Sequence, residues 1–225
     1  MNFFDFDLSK LILSVVPFIL AITIHEASHG YAAYYLGDNT AKNAGRLTLN
    51  PFAHIDILGL ACLLITRMFG WAKPVPVNFA VISRKRYGPM IVAAAGPLSN
   101  IALAVISVLI LAAFSRAVGL EELARRTVEN STVYIFINYS LQYCIIINIT
   151  LAIFNLIPIL PLDGGRMLQN LLPPDKAYAY GKLERWGFFI ILLLVFTGVV
   201  GKFLFPIIHL INNYLLQLAF GGWVY

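Results

Sequence analysis

From Leu8 to Tyr35 the chain runs through 28 residues in which Lys10 and Glu26 are the only charged side chains. At 1.5 Å per residue a helix of that length reaches about 42 Å, enough to cross a hydrocarbon core about 30 Å thick. Met90–Ala117 and Thr132–Ile157 repeat the pattern, and each predicts a membrane-spanning helix. Trp186–Phe205 predicts a fourth span, and Pro206–Phe220, apolar but for a few residues such as Asn212 and Asn213, is a candidate fifth. Ile57–Trp71 is different. It has 15 residues broken by Gly59, Arg67 and Gly70, which is short for a span and suits a re-entrant or interfacial segment. Between these runs, alternation over Arg46, Leu47, Thr48 and Leu49 predicts a short strand closed by Asn50-Pro51. Pro74, Pro76 and Arg84-Lys85-Arg86 mark an extended aqueous loop, and Leu120–Asn130 a charged one.

Composition agrees with the pattern. Of 225 residues 60% are hydrophobic and 12% charged, with mean hydropathy +0.80, where a soluble domain is nearer half apolar and a quarter charged. The expected class is an all-α polytopic membrane protein lying in the lipid bilayer, one membrane-embedded unit over residues 1–225. The net charge of +5 comes from residues in short loops between apolar runs, which excludes the basic face of a nucleic-acid binder. The first ten residues lack the basic region of a signal peptide and read as part of the mature chain. Cys62 and Cys144 sit in apolar runs without a C-x-x-C partner and read as small buried residues.

Chemistry concentrates in the first span, where His25, Glu26 and His29 form H-E-x-x-H. Residues four apart share one face of a helix, so two neutral imidazoles can grip one zinc with the Glu beside an open coordination position as general base. A carboxylate this deep in an apolar run is costly unless paired or near a metal. A third ligand is needed. His54 and His209 are the other histidines, and His54 reads more readily as a hydrogen-bonded structural residue. Asp163 is the stronger candidate, because it follows a helix broken by Pro158 and Pro161, and such backbone at membrane depth lines a cavity or is covered by protein. As an alternative it caps the helix starting at Gly164. A di-iron carboxylate bundle is disfavoured, since it needs a second E-x-x-H. Two rivals from other classes are a membrane binder that keeps the fold without hydrolysing and a transporter using the same side chains as transport ligands. The complete Glu26 argues against the first, and the nearly apolar spans after Phe188 against the second.

These elements together resemble the site-2 protease family of intramembrane zinc metalloproteases. The resemblance rests on HEASH, on AAAGPLSN at Ala93–Asn100, and on N-x-x-P with P-L-D-G over Asn155–Gly164. GRLTLNPFAHID and WAKPVPVN are similar to the short bacterial-type members, which carry no PDZ or CBS module. It covers about residues 8–170, leaving about 186–220 as additional C-terminal spans. One departure is Leu160, where the family usually has proline. The resemblance implies that one Zn2+ is held by His25, His29 and Asp163, that Glu26 is the catalytic acid–base, and that Asn155 positions substrate or the oxyanion. It implies as substrate a transmembrane protein, cut within or near a membrane helix that must first unwind. On this reading the fold is a helical bundle with a short re-entrant segment and a small strand-like loop near the active site, able to hold the unwound stretch by edge pairing.

The site predicts topology. His25 and His29 lie toward the carboxyl end of one span and Asp163 just past the carboxyl end of another, so the two run parallel with one crossing between them. With Ile57–Trp71 re-entrant, eleven of the 16 Lys and Arg fall on the site side and four opposite, with Lys202 unplaced. That bias predicts an amino terminus outside and a zinc nearer the cytoplasm, and the resemblance to bacterial-type members implies a prokaryotic cell membrane.

Overall fold

The structure, a computed structural model, describes residues 8–66, 70–118 and 132–220. The Arg67 break and the charged loop Leu120–Asn130 lie outside the described residues, as do residues 1–7. Helix α1 spans Leu8–Tyr35, matching the apolar run. A single turn, α2 (Thr40–Asn43), and a short 3-10 turn at Pro51–Ala53 lead into α3 (Ile57–Thr66). Another short turn, α4 (Phe79–Ile82), precedes α5 (Gly88–Val118) and then α6 (Thr132–Asn155). Three shorter helices follow, α7 (Asp163–Leu171), α8 (Pro174–Gly181) and α9 (Glu184–Phe196), before α10 (Val199–Phe220). Four of these, α1, α5, α6 and α10, are long and apolar enough to cross a membrane.

The bundle is built on α1, α5 and α6, with α10 against α5 and α6. Ala104, Val108, Leu111 and Ala112 of α5 pack with Ile145 and Ile149 of α6 and with Ile208 and Ala219 of α10. The opposite stripe of α5, Leu98, Ile101, Val105 and Leu109, is as apolar but exposed, as expected where lipid is the solvent. Ala21, Ala27 and Ala33 of α1 are buried on different sides of the helix, and small residues there let its neighbours approach closely.

Three expectations change. Arg46–Leu49 forms bends and no strand, and no sheet exists among the described residues; the isolated pairing is an antiparallel bridge of Ile55 with Ala72. The alternation there reflects side chains tied off singly: Arg46 Nη2 donates to the Lys73 carbonyl, and Thr48 accepts at its carbonyl from the buried His54. The second change concerns the carboxyl-terminal spans. The run Trp186–Phe205 is divided at Gly198, whose φ of +74° suits glycine and ends α9, while Pro206 lies inside α10 rather than starting a helix. A proline in a membrane helix is tolerated because neighbouring groups satisfy the freed carbonyl. Third, Asp163 caps nothing. It is the first residue of α7, Leu162 holds the cap position, and no side-chain cap bond forms there.

The two ends of the short segment meet, as a re-entrant reading requires. Helix α3 has ten residues, about 15 Å, and the two ends of the segment are stitched together by the Ile55–Ala72 bridge and by Lys73 N–H donating to the His54 carbonyl at 2.9 Å. The stitching continues along Lys73–Asn78. Asn78 N–H donates to Asp38 Oδ2 at 2.6 Å. Burial would raise the Asp38 carboxyl, but hydrogen bonds from the Thr40 hydroxyl and from the backbone at Asn78 and Thr40 outweigh it and hold the group below its ordinary value.

Candidate metal centre

Helix α5 runs antiparallel to α1 with the site at its amino-terminal end. Ala33 packs near Val92, His29 meets Val92 and Gly96, and His25 meets Gly96 and Asn100. The carboxyl ends of α1 and α6 therefore lie at one end of the bundle. After Asn155 the chain turns sharply through Leu156–Leu162 and returns as α7, delivering the Asp163 carboxylate to the two histidines. Three contacts fix that turn. Arg166 Nη2 pairs with Glu184 Oε1 at 2.6 Å, the Arg166 guanidinium stacks over the Phe79 ring, and Tyr180 donates to the Pro158 carbonyl at 2.8 Å. Leu160, the departure noted above, is itself buried.

The two ring nitrogens and the Asp163 carboxyl group stand at the corners of a rough triangle, each ring facing a different carboxylate oxygen. His25 Nε2 and His29 Nε2 are 3.1 Å apart, His25 Nε2 is 3.2 Å from Asp163 Oδ2, and His29 Nε2 is 3.4 Å from Asp163 Oδ1. Ligands about 2.0–2.1 Å from a tetrahedral zinc are separated by about 3.3 Å, so the edges fit. The protonation states fit as well. His25 Nδ1 lies 2.5 Å from Asn100 Oδ1 and His29 Nδ1 lies 2.7 Å from the Val92 carbonyl oxygen. Both partners are acceptors, so each ring carries its hydrogen on Nδ1 and presents a bare Nε2. Asp163 Oδ2 is buried and has no hydrogen-bond partner. Lone pairs thus converge with nothing to accept them, and a cation is the natural occupant. Gly96 makes room for it: a Cβ there would stand 2.5 and 2.6 Å from the two Nε2 atoms.

Glu26 stays outside the triangle. It is half-buried beside His25, and its Oε2 accepts from the Val75 N–H at 2.9 Å. A carboxylate held to one side by a backbone donor suits a base rather than a ligand. His54 is fully buried and bonded through Nε2 to the Thr48 carbonyl at 2.9 Å, which is the structural role. His209 lies exposed on α10. Asn155 ends α6 and donates to the Leu151 carbonyl at 2.9 Å, so its amide is turned onto its own helix. Cys144 is buried, as expected, Cys62 is partly buried, and neither forms a disulfide. Asn100 stands in the sequence only as the end of AAAGPLSN, and nothing there shows that it meets the His25 ring. Sequence reasoning also missed the Val92 carbonyl and the Val75 N–H, since backbone groups carry no residue-type signal. The small residues Ala93–Gly96 were visible, but what they leave room for was not.

Comparison with known proteins agrees with this geometry. The chain is 36% identical over 217 residues to "Putative zinc metalloprotease YwhC" of Bacillus subtilis, covering 96% of this chain and 95% of that protein. It is 27% identical over 208 residues to "Putative zinc metalloprotease Rip2" of Mycolicibacterium smegmatis, covering 88% and 72% respectively. The protein of that name from Mycobacterium tuberculosis is 23% identical over 205 residues, again covering 88% and 72%. No solved structure matches the chain. The profile of peptidase family M50 matches residues 13–198, and with it the chain belongs to that family, the site-2 protease family of intramembrane zinc metalloproteases.

Proposed function

We propose that His25, His29 and Asp163 hold the zinc and that Glu26 is the acid–base of peptide hydrolysis within the membrane. The observation that carries the reading is the convergence of two bare ring nitrogens, 3.1 Å apart, on one carboxylate, whose Oδ2 lies 3.2 Å from His25 and whose Oδ1 lies 3.4 Å from His29. Zinc bound there supplies a water of lowered pKa and polarises a carbonyl oxygen. Glu26 takes the proton of the attacking water and returns it to the departing amine. The Val75 N–H occupies Glu26 Oε2 and leaves Oε1 for that transfer. Asn155, in the turn that delivers Asp163, donates to the developing oxyanion once its amide leaves the Leu151 carbonyl.

The substrate on this reading is a transmembrane protein, cut where its helix unwinds, because an intact helix hides its carbonyls in its own ladder. The catalytic unit is a single domain, with about residues 8–170 as its core and α9 and α10 beside it; α10 seals against α5 and α6 through Ile208 and Ala219. The excess of Lys and Arg on the site side puts the zinc nearer the cytoplasm. Glu26→Gln tests the core claim. The variant should keep its zinc, measured by elemental analysis, and cut a membrane substrate about 10²–10⁴-fold more slowly in detergent. Near-parental turnover would remove Glu26 from the mechanism.

A further inference from the structure

Two buried asparagines take no part in those steps. Asn100 of α5 and Asn148 of α6 are both 0% exposed, and between them they join three spans. Their neighbours determine which end of each amide points where. Asn148 Nδ2 lies 2.8 Å from the Cys144 carbonyl oxygen, which can only accept, so Asn148 turns its nitrogen there and its oxygen away. Asn100 meets that oxygen at 2.7 Å and the Ala21 carbonyl at 3.3 Å. Both are acceptors, so Asn100 gives them its nitrogen and leaves Oδ1 facing His25 Nδ1 at 2.5 Å. Turned over, Asn100 would set its oxygen against two others and its NH2 against the ring. The ring hydrogen would then move to Nε2, the atom that faces the metal.

We propose that Asn100 and Asn148 form an amide relay, anchored on the Cys144 and Ala21 carbonyls, that sets the tautomer of His25 and keeps its Nε2 free for the metal. This rests on the reading of His25 as a zinc ligand. His29 needs no relay, because its Nδ1 meets a backbone carbonyl that cannot turn over. The two histidines of one motif are therefore set by different means, one by backbone and one by side chains from two other helices. Asn148 is a positioning residue that acts two steps from the ring it governs.

The test uses the full chain in detergent micelles with 15N-labelled histidine. In the metal-free parent at about pH 10, above the imidazole range, nitrogen chemical shifts should show hydrogen on Nδ1 of both His25 and His29. Asn148→Ala lets Asn100 turn over. It should move a large share of His25 to the Nε2–H form, leave His29 unchanged, and weaken zinc about 10–100-fold by chelator competition. Adding Asn100→Asp to that variant should restore both readouts, because a carboxylate presents an acceptor whichever way it turns. A lost helix contact alone would not be mended in this way. The relay is overturned by hydrogen on Nε2 of His25 in the parent, or by Asn148→Ala keeping the parental tautomer and zinc affinity. Failure of Asn100→Asp to rescue overturns it too. If Asn148→Ala does not fold, Asn100→Asp alone decides: parental tautomer and affinity support the relay, and a shift to Nε2–H overturns it. A parent with hydrogen on Nδ1 but no affinity for zinc would refute the metal reading and leave the relay standing.

Discussion

Gly96→Ala adds one methyl group where the metal should be. The new carbon would lie 2.5 Å from His29 Nε2 and 2.6 Å from His25 Nε2. Unbonded heavy atoms prefer about 3.5 Å, so the overlap is about 1 Å on both ligands at once. Relief can come in two ways, and both harm the site. If the rings swing apart, they leave the 3.1 Å spacing that fits a shared ion, and such sites tolerate only about 0.2 Å in each bond. If α5 backs away from α1 by about 1 Å, the bonds from Asn100 to His25 and from Val92 to His29, now 2.5 and 2.7 Å, pass beyond hydrogen-bonding range. Overpacking in a tight core costs about 1–3 kcal/mol, and here the strain falls on the ligands. Zinc affinity should therefore drop about 100-fold, or about 2.7 kcal/mol. Chelator competition on purified protein measures it, with circular dichroism to show that the helices persist. Ala102→Val, on the exposed side of α5, serves as control and should bind zinc like the parent. Full zinc occupancy at parental affinity in Gly96→Ala would refute the placement of the ion between these rings.

Other outcomes follow from the same geometry. Asp163→Asn should lower zinc retention after mild chelation, since a neutral amide is the poorer ligand; equal retention in variant and parent would remove Asp163 from the ligand set. Substrate spans carrying Gly or Pro near the cut should be cleaved faster than Leu-rich ones, because these residues lower the cost of unwinding by about 1 and 3 kcal/mol, and equal rates would count against unwinding. In a background without Cys62 and Cys144, Ser83→Cys should resist an impermeant thiol reagent applied to intact cells; labelling from outside would sink the cytoplasmic placement of the site.

How much of this was legible in the sequence depends on whether the cause is local. The i, i+4 spacing of His25 and His29 needs one helix and brings the two rings together, and the apolar run predicted the bounds of α1 at Leu8 and Tyr35. Segment length sufficed to rule out a full crossing by Ile57–Thr66, since ten helical residues cannot cross a bilayer. Where the outcome was set by another part of the chain, pattern was insufficient. Arg46–Leu49 alternates like a strand but has no partner edge, and its groups bond one by one to Lys73 and His54. Pro206 looked like a boundary, yet the break fell at Gly198, because in lipid a left-handed glycine turns the chain while a proline can be absorbed. Asn100 was one of several polar residues in apolar spans. Its partners lie 75 and 48 residues away, so no local reading could single it out.

Helix α5 meets the site through residues spaced by four: Val92 lends a carbonyl, Gly96 leaves a void, Asn100 supplies an amide, and Ala104 and Val108 continue the row into the core. On α1 the facing residues, Ala21, His25, His29 and Ala33, have the same spacing. Two such ridges interlock along their lengths, so the fit depends on register as well as on residue type. A single residue inserted between Val92 and Asn100 turns everything on one side of it by about 100°, carrying either the carbonyl or the amide toward lipid. The same insertion beyond Val118 leaves the row intact. Tolerance to length change along this helix is thus sharply uneven: from Val92 to Ala112 it is a vernier that admits one setting, while an extension past its far end leaves that setting untouched.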